Sequence, residues 1–415
     1  TWIDRLDSFD ELLQSHNLAW DLLWRRFHLA TGADDYQAMV LNLHSFHLLQ
    51  TVSKHTIDLD IGVPARGWHG EAYRGHIFWD ELFIFPYINL HLPDLTRALL
   101  LYRYRRLAEA RWAAKAEGLK GALFPWQSGS SGKEESQVVH LNPKSGRWLP
   151  DNSWLQRHIN IAVAYNVWQY YQTTADVDFL AYYGAEMMVA IARLMASLAS
   201  YNKVLDRYEI LRVMGPDEYH DAYPEADEPG LNNNAYTNVM AAWVLRRAQE
   251  ALDIIPQFRR NELTEKLHID REELAQWDEI SHKLRVAFHD DGIISQFEGY
   301  GDLEEFDWVG YAERYGDIQR LDRILEAEGD SPNCYKLSKQ ADVLMLFYLL
   351  SADELISIFE QLGYELDREA IQRNIDYYDK RTSHGSTLSR IVNAWVLARS
   401  DRKRSWEFFE GALLS

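Results

Sequence analysis

Apolar residues recur along most of the chain at intervals of three and four, the spacing of one face of an α-helix. Asp34 and Asp35 stand where a helix N-terminus favours acidic and capping residues. Pro86 interrupts one segment and predicts a kink or a break there. The pattern predicts about a dozen helices, over residues 12–29, 34–52, 78–90, 95–116, 153–173, 178–201, 235–252, 260–290, 336–350, 354–362, 368–379, 386–398 and 402–413.

Strand patterns are few, and the best candidates are residues 204–213 and 292–297. Three irregular stretches, residues 55–76, 124–151 and 214–234, hold most of the Gly, Pro and Ser. Paired helices with loops of unequal length fit an α-solenoid or a closed ring of helix pairs. A solenoid would show an even period of roughly 34 to 47 residues. The prediction is therefore an all-α fold, a closed (α/α) barrel with its active-site loops at one rim.

Charge and composition narrow the class of protein. The 415 residues carry a net charge of −20, which argues against a nucleic-acid or anionic-membrane partner. Any bound anion must then be held by a local cluster of donors against the field of the whole protein. No run of 18 apolar residues marks a membrane span. The single cysteine excludes an internal disulfide framework and fits a reducing compartment, the cytoplasm.

One carboxylate, Glu218, stands in a Gly-Pro turn among aromatic and amide residues. It belongs to residues 213–220, VMGPDEYH, and residues 232–238, NNNAYTN, follow. Turn residues hold a side chain away from regular structure and into a cleft. A carboxyl among aromatic rings and beside a second acid retains its proton more readily, as a general acid must. Amide side chains suit the recognition of hydroxyl groups. The motif therefore indicates a sugar site. The alternative is a surface turn joined to a helix N-cap.

The glycine-punctuated residues 66–81 enter a predicted helix. Trp79 offers a ring face for stacking, and Asp80 can accept from two sugar hydroxyls. Asp80 and Glu81 also suit the first turn of a helix, where they would compensate its dipole. Residues 124–135 form a loop with a Trp anchor, either a lid or a plain surface loop.

Two further segments open helices and are candidates for holding an anion. Lys339 and Gln340 would meet an anion or a hydroxyl near a helix N-terminus, or else form a solvated first turn. The hydroxyls, His and Gly that precede another helix form an oxyanion cradle or, alternatively, an elaborate N-cap; they are Ser383, His384, Gly385, Ser386 and Thr387. The pattern of a nucleotide-binding P-loop does not occur.

A metal centre is not expected. His220 lies two residues after Glu218, but no second His or Cys follows at ligand spacing. Cys334 stands alone and is interpreted as a small apolar residue rather than as a nucleophile.

Taken together, four motifs of the chain resemble the catalytic domain of glycoside hydrolase family 65. They are GHIFWDE, VMGPDEYH with NNAYTN, KQADVL and SHGSTLS. That family holds inverting phosphorylases of α-linked glucose disaccharides, and its motifs occur here in the family's order over roughly residues 60 to 395. The resemblance implies an (α/α)6 barrel over residues 31–415 and the end of a helical linker over residues 1–30. The flanking β-domains of complete members are expected to be absent from this chain. Residues 66–81 look closest to members often described as trehalose phosphorylases.

The resemblance also implies a role for each candidate residue. Glu218 is the general acid, Trp79 and Asp80 line the glucose site, and Lys339 and Gln340 contact glucose and the incoming anion. The implied phosphate loop consists of Ser383, His384, Gly385, Ser386 and Thr387. Inorganic phosphate is then a co-substrate, beside the disaccharide, and no other cofactor is expected. Family members are commonly homodimers, which the sequence itself does not show.

The residues favour phosphorolysis over hydrolysis. An inverting hydrolase needs a second carboxylate to activate water, whereas phosphate is already an anionic nucleophile and would yield β-glucose 1-phosphate. Asp217 is expected to help Glu218 keep its proton, and Asp342, the nearest alternative base, is expected to point away. The alternatives are an inverting α-glucoside hydrolase of the same fold and a non-catalytic sugar-binding domain.

Overall fold

The computed structural model describes residues 8–30, 32, 35–67 and 72–414, and helices dominate these residues. The first nine are α1 (Phe9–Phe27), α2 (Asp35–Thr51), α3 (Glu81–His91), α4 (Pro93–Arg105), α5 (Leu107–Ala116), α6 (Ile159–Thr174), α7 (Val177–Phe179), α8 (Ala185–Leu198) and α9 (Ala235–Ile254). They are followed by α10 (Gln257–Leu267), α11 (Arg271–Lys283), α12 (Trp308–Tyr315), α13 (Leu321–Glu328), α14 (Val343–Leu349), α15 (Ala352–Gln361), α16 (Arg368–Asp379), α17 (Thr387–Leu397) and α18 (Arg402–Leu413).

Strands are confined to three short antiparallel hairpins among the described residues. They pair β1 (Val139–Leu141) with β2 (Trp148–Pro150), β3 (Ala199–Asn202) with β4 (Arg207–Ile210), and β5 (Phe288–His289) with β6 (Ile293–Ile294). The prediction of a mainly helical fold with few strands is confirmed.

Several predicted helix boundaries were wrong. The long helix predicted over residues 95–116 is divided into α4 and α5 at Arg106, and the one over 260–290 is divided into α10 and α11 at His268. Pro86, by contrast, lies inside a continuous α3. The short helices α12 and α13 were not predicted at all.

The core is built on helices that are apolar on nearly every side. Every residue of α6 from Ile159 to Trp168 is buried, and so is every residue of α9 from Ala235 to Leu245. A helix that is apolar all round must be enclosed by other elements. In succession, α3 packs on α6, α6 on α9, α9 on α14, and α14 on α17. The helices α4, α8, α11 and α18 pack against members of this inner series.

The continuous helical stretch Val177–Leu198 comprises α7, a π turn and α8. It is the one helix of the described residues that is long and apolar enough to cross a membrane, by length and composition only. Its most apolar window is 78% buried within the fold, which is the behaviour of a core helix.

The candidate residues lie in the segments that lead into the N-termini of inner helices. Asp80 precedes α3, the turn with Glu218 leads through Asn234 into α9, Lys339 precedes α14, and Ser386 precedes α17. Helix N-termini carry partial positive charge and unpaired backbone N–H groups. This end of the helix series is therefore suited to anions and hydroxyls.

Candidate active site

The acid loop, residues 213–220, is fixed at its base by backbone pairing. The N–H of Val213 donates to the oxygen of Leu231 at 3.0 Å, and the N–H of Leu231 returns a bond at 2.8 Å. Glu218 has a φ of 63°, in the left-handed region that a non-glycine residue rarely adopts. The side chain of Glu218 is 23% exposed, whereas its neighbours in the loop are buried. The loop therefore turns a single carboxyl out of the packed structure.

Asp217 does not serve Glu218 as expected. Its side chain is fully buried, and its Oδ2 lies 2.6 Å from Nδ1 of His220. The other ring nitrogen of His220 donates to the carbonyl oxygen of Tyr335 at 2.9 Å. The prediction that Asp217 helps to retain the proton of Glu218 is therefore wrong, because Asp217 faces inward to His220. Both nitrogens of His220 are occupied within the protein.

Lys339 contacts the acid directly. Its Nζ donates to Oε2 of Glu218, although the two residues are 121 positions apart, and its side chain is 19% exposed. Burial alone would lower the pKa of Lys339, but the Glu218 carboxylate outweighs that effect and raises it. Lys339 therefore lies beside Glu218, and its expected contacts with glucose and the anion stay a prediction.

Gln340 and Asp342 support the acid loop from below. The Nε2 of Gln340 donates to the carbonyl oxygen of Pro216 at 2.7 Å, and Gln340 is buried. Asp342 accepts from Nδ2 of Asn234 at 3.1 Å. A Cβ at Gly215 would lie 2.2 Å from Oδ2 of Asp342, so only glycine fits there. The prediction that Asp342 points away is wrong, since it lies directly under the loop that carries Glu218.

The Asp342 carboxyl is buried at 3% exposure. Burial and the nearby Asp217 carboxylate raise the pKa of Asp342 well above its usual range. Asp342 is accordingly enclosed beneath the loop, where a water molecule attacking a sugar would not reach it.

Residues 383–387, named the anion loop after their predicted role, run beside Lys339. The N–H of Ser383 donates to the oxygen of Ser338 at 2.9 Å, and the N–H of Gly385 donates to the oxygen of Lys339 at 3.0 Å. A Cβ at Gly385 would lie 2.1 Å from the backbone oxygen of Gln319. Glycine is therefore required at this close approach of three segments.

The remaining residues of the anion loop leave its helix N-terminus open. Ser386 is the N-cap of α17 but makes no side-chain capping bond, and Thr387 is the first residue of the helix. His384, with a φ of 52°, places Nδ1 2.9 Å from Oγ of Ser389. Burial and the charge of Arg390 lower the pKa of His384 to about 4. The absence of a capping bond from Ser386 favours an anion cradle over an elaborate cap.

Trp79 and Asp80 differ in their environments. Trp79 is 3% exposed and packs edge to face on His158, with ring centroids 4.9 Å apart. It is therefore a core residue, and its ring does not offer the open stacking face that was expected. Asp80 is the N-cap residue of α3 and makes no capping bond. Burial, with the Glu218 and Glu81 carboxylates, raises the pKa of Asp80 to about 7. Glu218 and Asp80 are therefore close enough for their charges to interact.

Glu81, which was grouped with Asp80 as a residue of the first helical turn, has a structural role. It is 2% exposed and accepts from Nε and Nη2 of Arg103, which is 1% exposed, at 3.0 and 2.9 Å. This buried ion pair holds α3 against α4.

Two residues at the site were missed by the sequence reasoning. The hydroxyl of Tyr219 lies 3.1 Å from Oγ of Ser383, donates to the oxygen of Gln319 at 2.9 Å and accepts from the N–H of Leu321. Arg320 acts electrostatically on both Glu218 and Lys339. Tyr219 could have been suspected from its place beside Glu218, but no local pattern marks Arg320.

The loop over residues 124–135 is pinned rather than free. Trp126 is 6% exposed, and its backbone N–H donates to Oε2 of Glu134 at 2.8 Å. Ser128 pairs through its backbone with Ile77, just before Trp79. This loop therefore supports the segment that carries Trp79 and Asp80. Residues 68–71 of that segment lie outside the described residues.

The family to which the chain belongs follows from its match to a known catalytic domain. Residues 42–415 match the model of the glycosyl hydrolase family 65 central catalytic domain.

The chain belongs to glycosyl hydrolase family 65.

Several members of family 65 are similar over nearly the whole chain. A glycosyl hydrolase of uncharacterised activity from Mycobacterium tuberculosis is 54% identical over 98% of this chain and 31% of its own length. A trehalose 6-phosphate phosphorylase from Lactococcus lactis is 41% identical over 94% of this chain and 49% of its own length. A kojibiose phosphorylase from Halothermothrix orenii is 34% identical over 93% and 47%. The chain thus spans half or less of the length of these family 65 relatives.

A solved structure from the human microbiome, named for kojibiose phosphorylase, has the same fold. It matches with a TM-score of 0.79 and 24% identity, and covers 98% of this chain and 55% of the other. The family 65 resemblance drawn from the four motifs is confirmed.

Proposed function

We propose that this family 65 chain catalyses inverting phosphorolysis of an α-linked glucose disaccharide of the trehalose or maltose type. The products are β-glucose 1-phosphate and a sugar acceptor. One observation carries the proposal: Lys339 joins the anion loop to the acid. Its backbone oxygen accepts from Gly385 at 3.0 Å, while its ammonium contacts Glu218. Relatives named as phosphorylases of glucose disaccharides support the same reaction.

In the proposed reaction, Glu218 supplies the only proton transfer. It donates its proton to the glycosidic oxygen as the bond from that oxygen to the anomeric carbon breaks, and the electron pair stays on the acceptor oxygen. A phosphate oxygen forms the new bond from the opposite face and inverts the carbon. Phosphate needs no base, so one carboxyl is sufficient. The open N-terminus of α17 and the ammonium of Lys339 hold the anion.

The glucose unit is proposed to lie against Asp80. Its carboxyl accepts hydroxyl hydrogens, and Trp79 keeps the segment rigid through its packing rather than through an open face. Gln340 donates one amide N–H to Pro216, which leaves its second N–H and its Oε1 for a sugar hydroxyl. The phosphate is proposed to be surrounded by the residues of the anion loop, Ser383, His384, Gly385, Ser386 and Thr387.

The proposed architecture is an (α/α)6 barrel over residues 31–415, with residues 1–30 as the end of a linker. The inner succession α3, α6, α9, α14 and α17, with other helices packed outside it, supports this proposal. Site residues at the N-terminal ends of that inner series support a single active-site rim.

Hydrolysis is a second candidate because one observation favours it. Asp80 is a second carboxyl within the electrostatic reach of Glu218, and its pKa is raised to about 7. A carboxylate of this kind is what a water-activating base requires. Asp80 would act in this way only if a water molecule reached the anomeric carbon opposite Glu218.

A product assay separates these functions. The protein is incubated with trehalose, trehalose 6-phosphate, maltose, kojibiose and nigerose, each with and without phosphate, and glucose and β-glucose 1-phosphate are followed. Phosphate-dependent formation of the β-phosphate is the expected result, and the productive substrate identifies the acceptor. Glucose formed without phosphate would mean hydrolysis. Binding of a disaccharide without turnover would mean a sugar-binding domain.

A further inference from the structure

Lys339 lies between the carboxylate of Glu218 and the anion loop. Its ammonium contacts the carboxylate of Glu218, and both side chains are largely buried, at 19% and 23% exposure. A general acid must carry a proton before it can donate one, whereas contact with an ammonium stabilises the ionised form of a carboxyl.

The same lysine also belongs to the anion loop. The N–H of Gly385 donates to the backbone oxygen of Lys339, and a Cβ on Gly385 would lie 3.2 Å from Cγ of Lys339. The stem of Lys339 therefore passes beside the anion loop before its ammonium reaches Glu218.

A second cation near the acid is less free to change partner. Arg320 binds both carboxylate oxygens of Asp322, at 2.9 and 2.5 Å. Such a bidentate pair is held more firmly than the single contact of Lys339 with Glu218. A phosphate dianion that enters the anion loop would meet two cations that each already pair with a carboxylate. The pair that yields more readily is Lys339 with Glu218.

We infer that Lys339 determines the choice of phosphate over water, because it keeps Glu218 ionised until a bound anion draws the ammonium away and Glu218 takes up a proton. This inference rests on the proposed function. The proton comes from solvent, passes from Glu218 to the glycosidic oxygen, and leaves Glu218 as a carboxylate that can pair with Lys339 again. Without the anion, no proton is available for the leaving group, and water is not used.

The charged groups that face Glu218 decide whether the proton goes to Glu218 itself. Asp80 faces it from the N-terminus of α3, Lys339 from the segment before α14, and Arg320 from the start of α13. Asp217 is turned inward to His220. His384, in the anion loop, is the other group near the anion that could bind a proton. A test must therefore distinguish Glu218 from Asp80 and His384.

The test is the pH dependence of sulfate binding, because sulfate remains a dianion near neutral pH. The dissociation constant is measured by calorimetry between pH 6 and pH 8, in buffers with different heats of ionisation. If one proton is taken up with each sulfate, the affinity for sulfate weakens by about tenfold for each unit by which the pH rises. The heat then also depends on the buffer. We expect this behaviour in the wild-type protein.

Variants assign the proton. Glu218→Gln should bind sulfate with no pH slope and no buffer dependence, whereas Asp80→Asn should keep both. Lys339→Met should bind sulfate at least about tenfold more weakly and without proton uptake. Lys336→Met is the matched control, since Lys336 pairs with Glu305 away from the acid and should behave as the wild type.

The possible failures have different meanings. Sulfate binding without proton uptake, or uptake that persists in Glu218→Gln, overturns the inference and leaves the proposed function standing. If neither sulfate nor phosphate binds to the folded protein, the proposed function fails and the inference fails with it.

Discussion

Substitution of Gly215 by alanine tests whether the position of the acid loop controls activity. The new Cβ would lie 2.2 Å from Oδ2 of Asp342 and 2.4 Å from Nδ2 of Asn234, both of which are buried. Ordinary contact begins near 3.4 Å, so the loop must move by about 1 Å. A misplacement of about 1 Å can lower the rate by about 10²-fold, or about 2.7 kcal/mol in the activation barrier. The crowding itself should lower the free energy of unfolding by about 1–3 kcal/mol.

Two measurements separate these effects for Gly215→Ala. Urea denaturation gives the free energy of unfolding, and initial rates of β-glucose 1-phosphate formation give kcat and KM for the folded fraction. We expect kcat to fall by about 10²-fold with a smaller change in KM. Gly32→Ala is the control, because a Cβ there meets no described atom within 4 Å. A folded Gly215→Ala protein with wild-type kcat would refute the reasoning that Asp342 and Asn234 fix the acid loop.

Four other substitutions probe the site and its support. Glu218→Gln should abolish disaccharide cleavage while calorimetry still detects sugar binding; residual activity within about tenfold of wild type would contradict its role as the acid. His384→Ala should raise the KM for phosphate by at least about tenfold, and an unchanged KM would mean that the anion loop is only a helix cap. The pKa of Asp80 is raised to about 7, whereas it is about 3.9 in unfolded chains. The contribution of Asp80 to the free energy of unfolding is therefore complete below pH 4 and is lost as the pH rises through 7. Asp80→Asn should remove this loss from the pH dependence of stability measured in urea. Arg103→Met leaves Glu81 buried without its partner and should lower the free energy of unfolding by about 3–5 kcal/mol, and a loss below 1 kcal/mol in urea would show that water reaches Glu81.

Helical periodicity was enough to predict most of the fold, because apolar faces with a regular spacing are local properties of the chain. The divisions at Arg106 and His268 were not predictable in this way. Arg106 is buried and held by Asp60 and by the backbone oxygen of Ser130, so a tertiary contact ends α4. His268 ends α10 in the left-handed conformation, where glycine would normally mark the end. Neither cause is visible in the local pattern.

The site was predictable where its chemistry is local and not where it depends on distant pairing. Gly-Pro turns and hydroxyls before helices pointed to Glu218 and to the anion loop. The contact between Lys339 and Glu218 joins positions 121 residues apart, and the contact of Tyr219 with Ser383 joins positions 164 apart. Such pairings follow from the arrangement of the inner helices. For the same reason, spacing alone gave Asp342 the wrong orientation and did not show that Asp217 faces His220.

The acidity of the whole chain is compatible with the proposed anionic co-substrate because the candidate site balances its own charges. The net charge of −20 disfavours a phosphate dianion at long range. Near the acid, however, Lys339 and Arg320 each have a carboxylate partner, and the N-terminus of α17 has no side-chain cap. A dianion can therefore enter by replacing a carboxylate, provided that the displaced carboxylate binds a proton. Because these groups are partly buried, added salt should screen them less than surface charges. Phosphate affinity should accordingly depend more strongly on pH than on ionic strength.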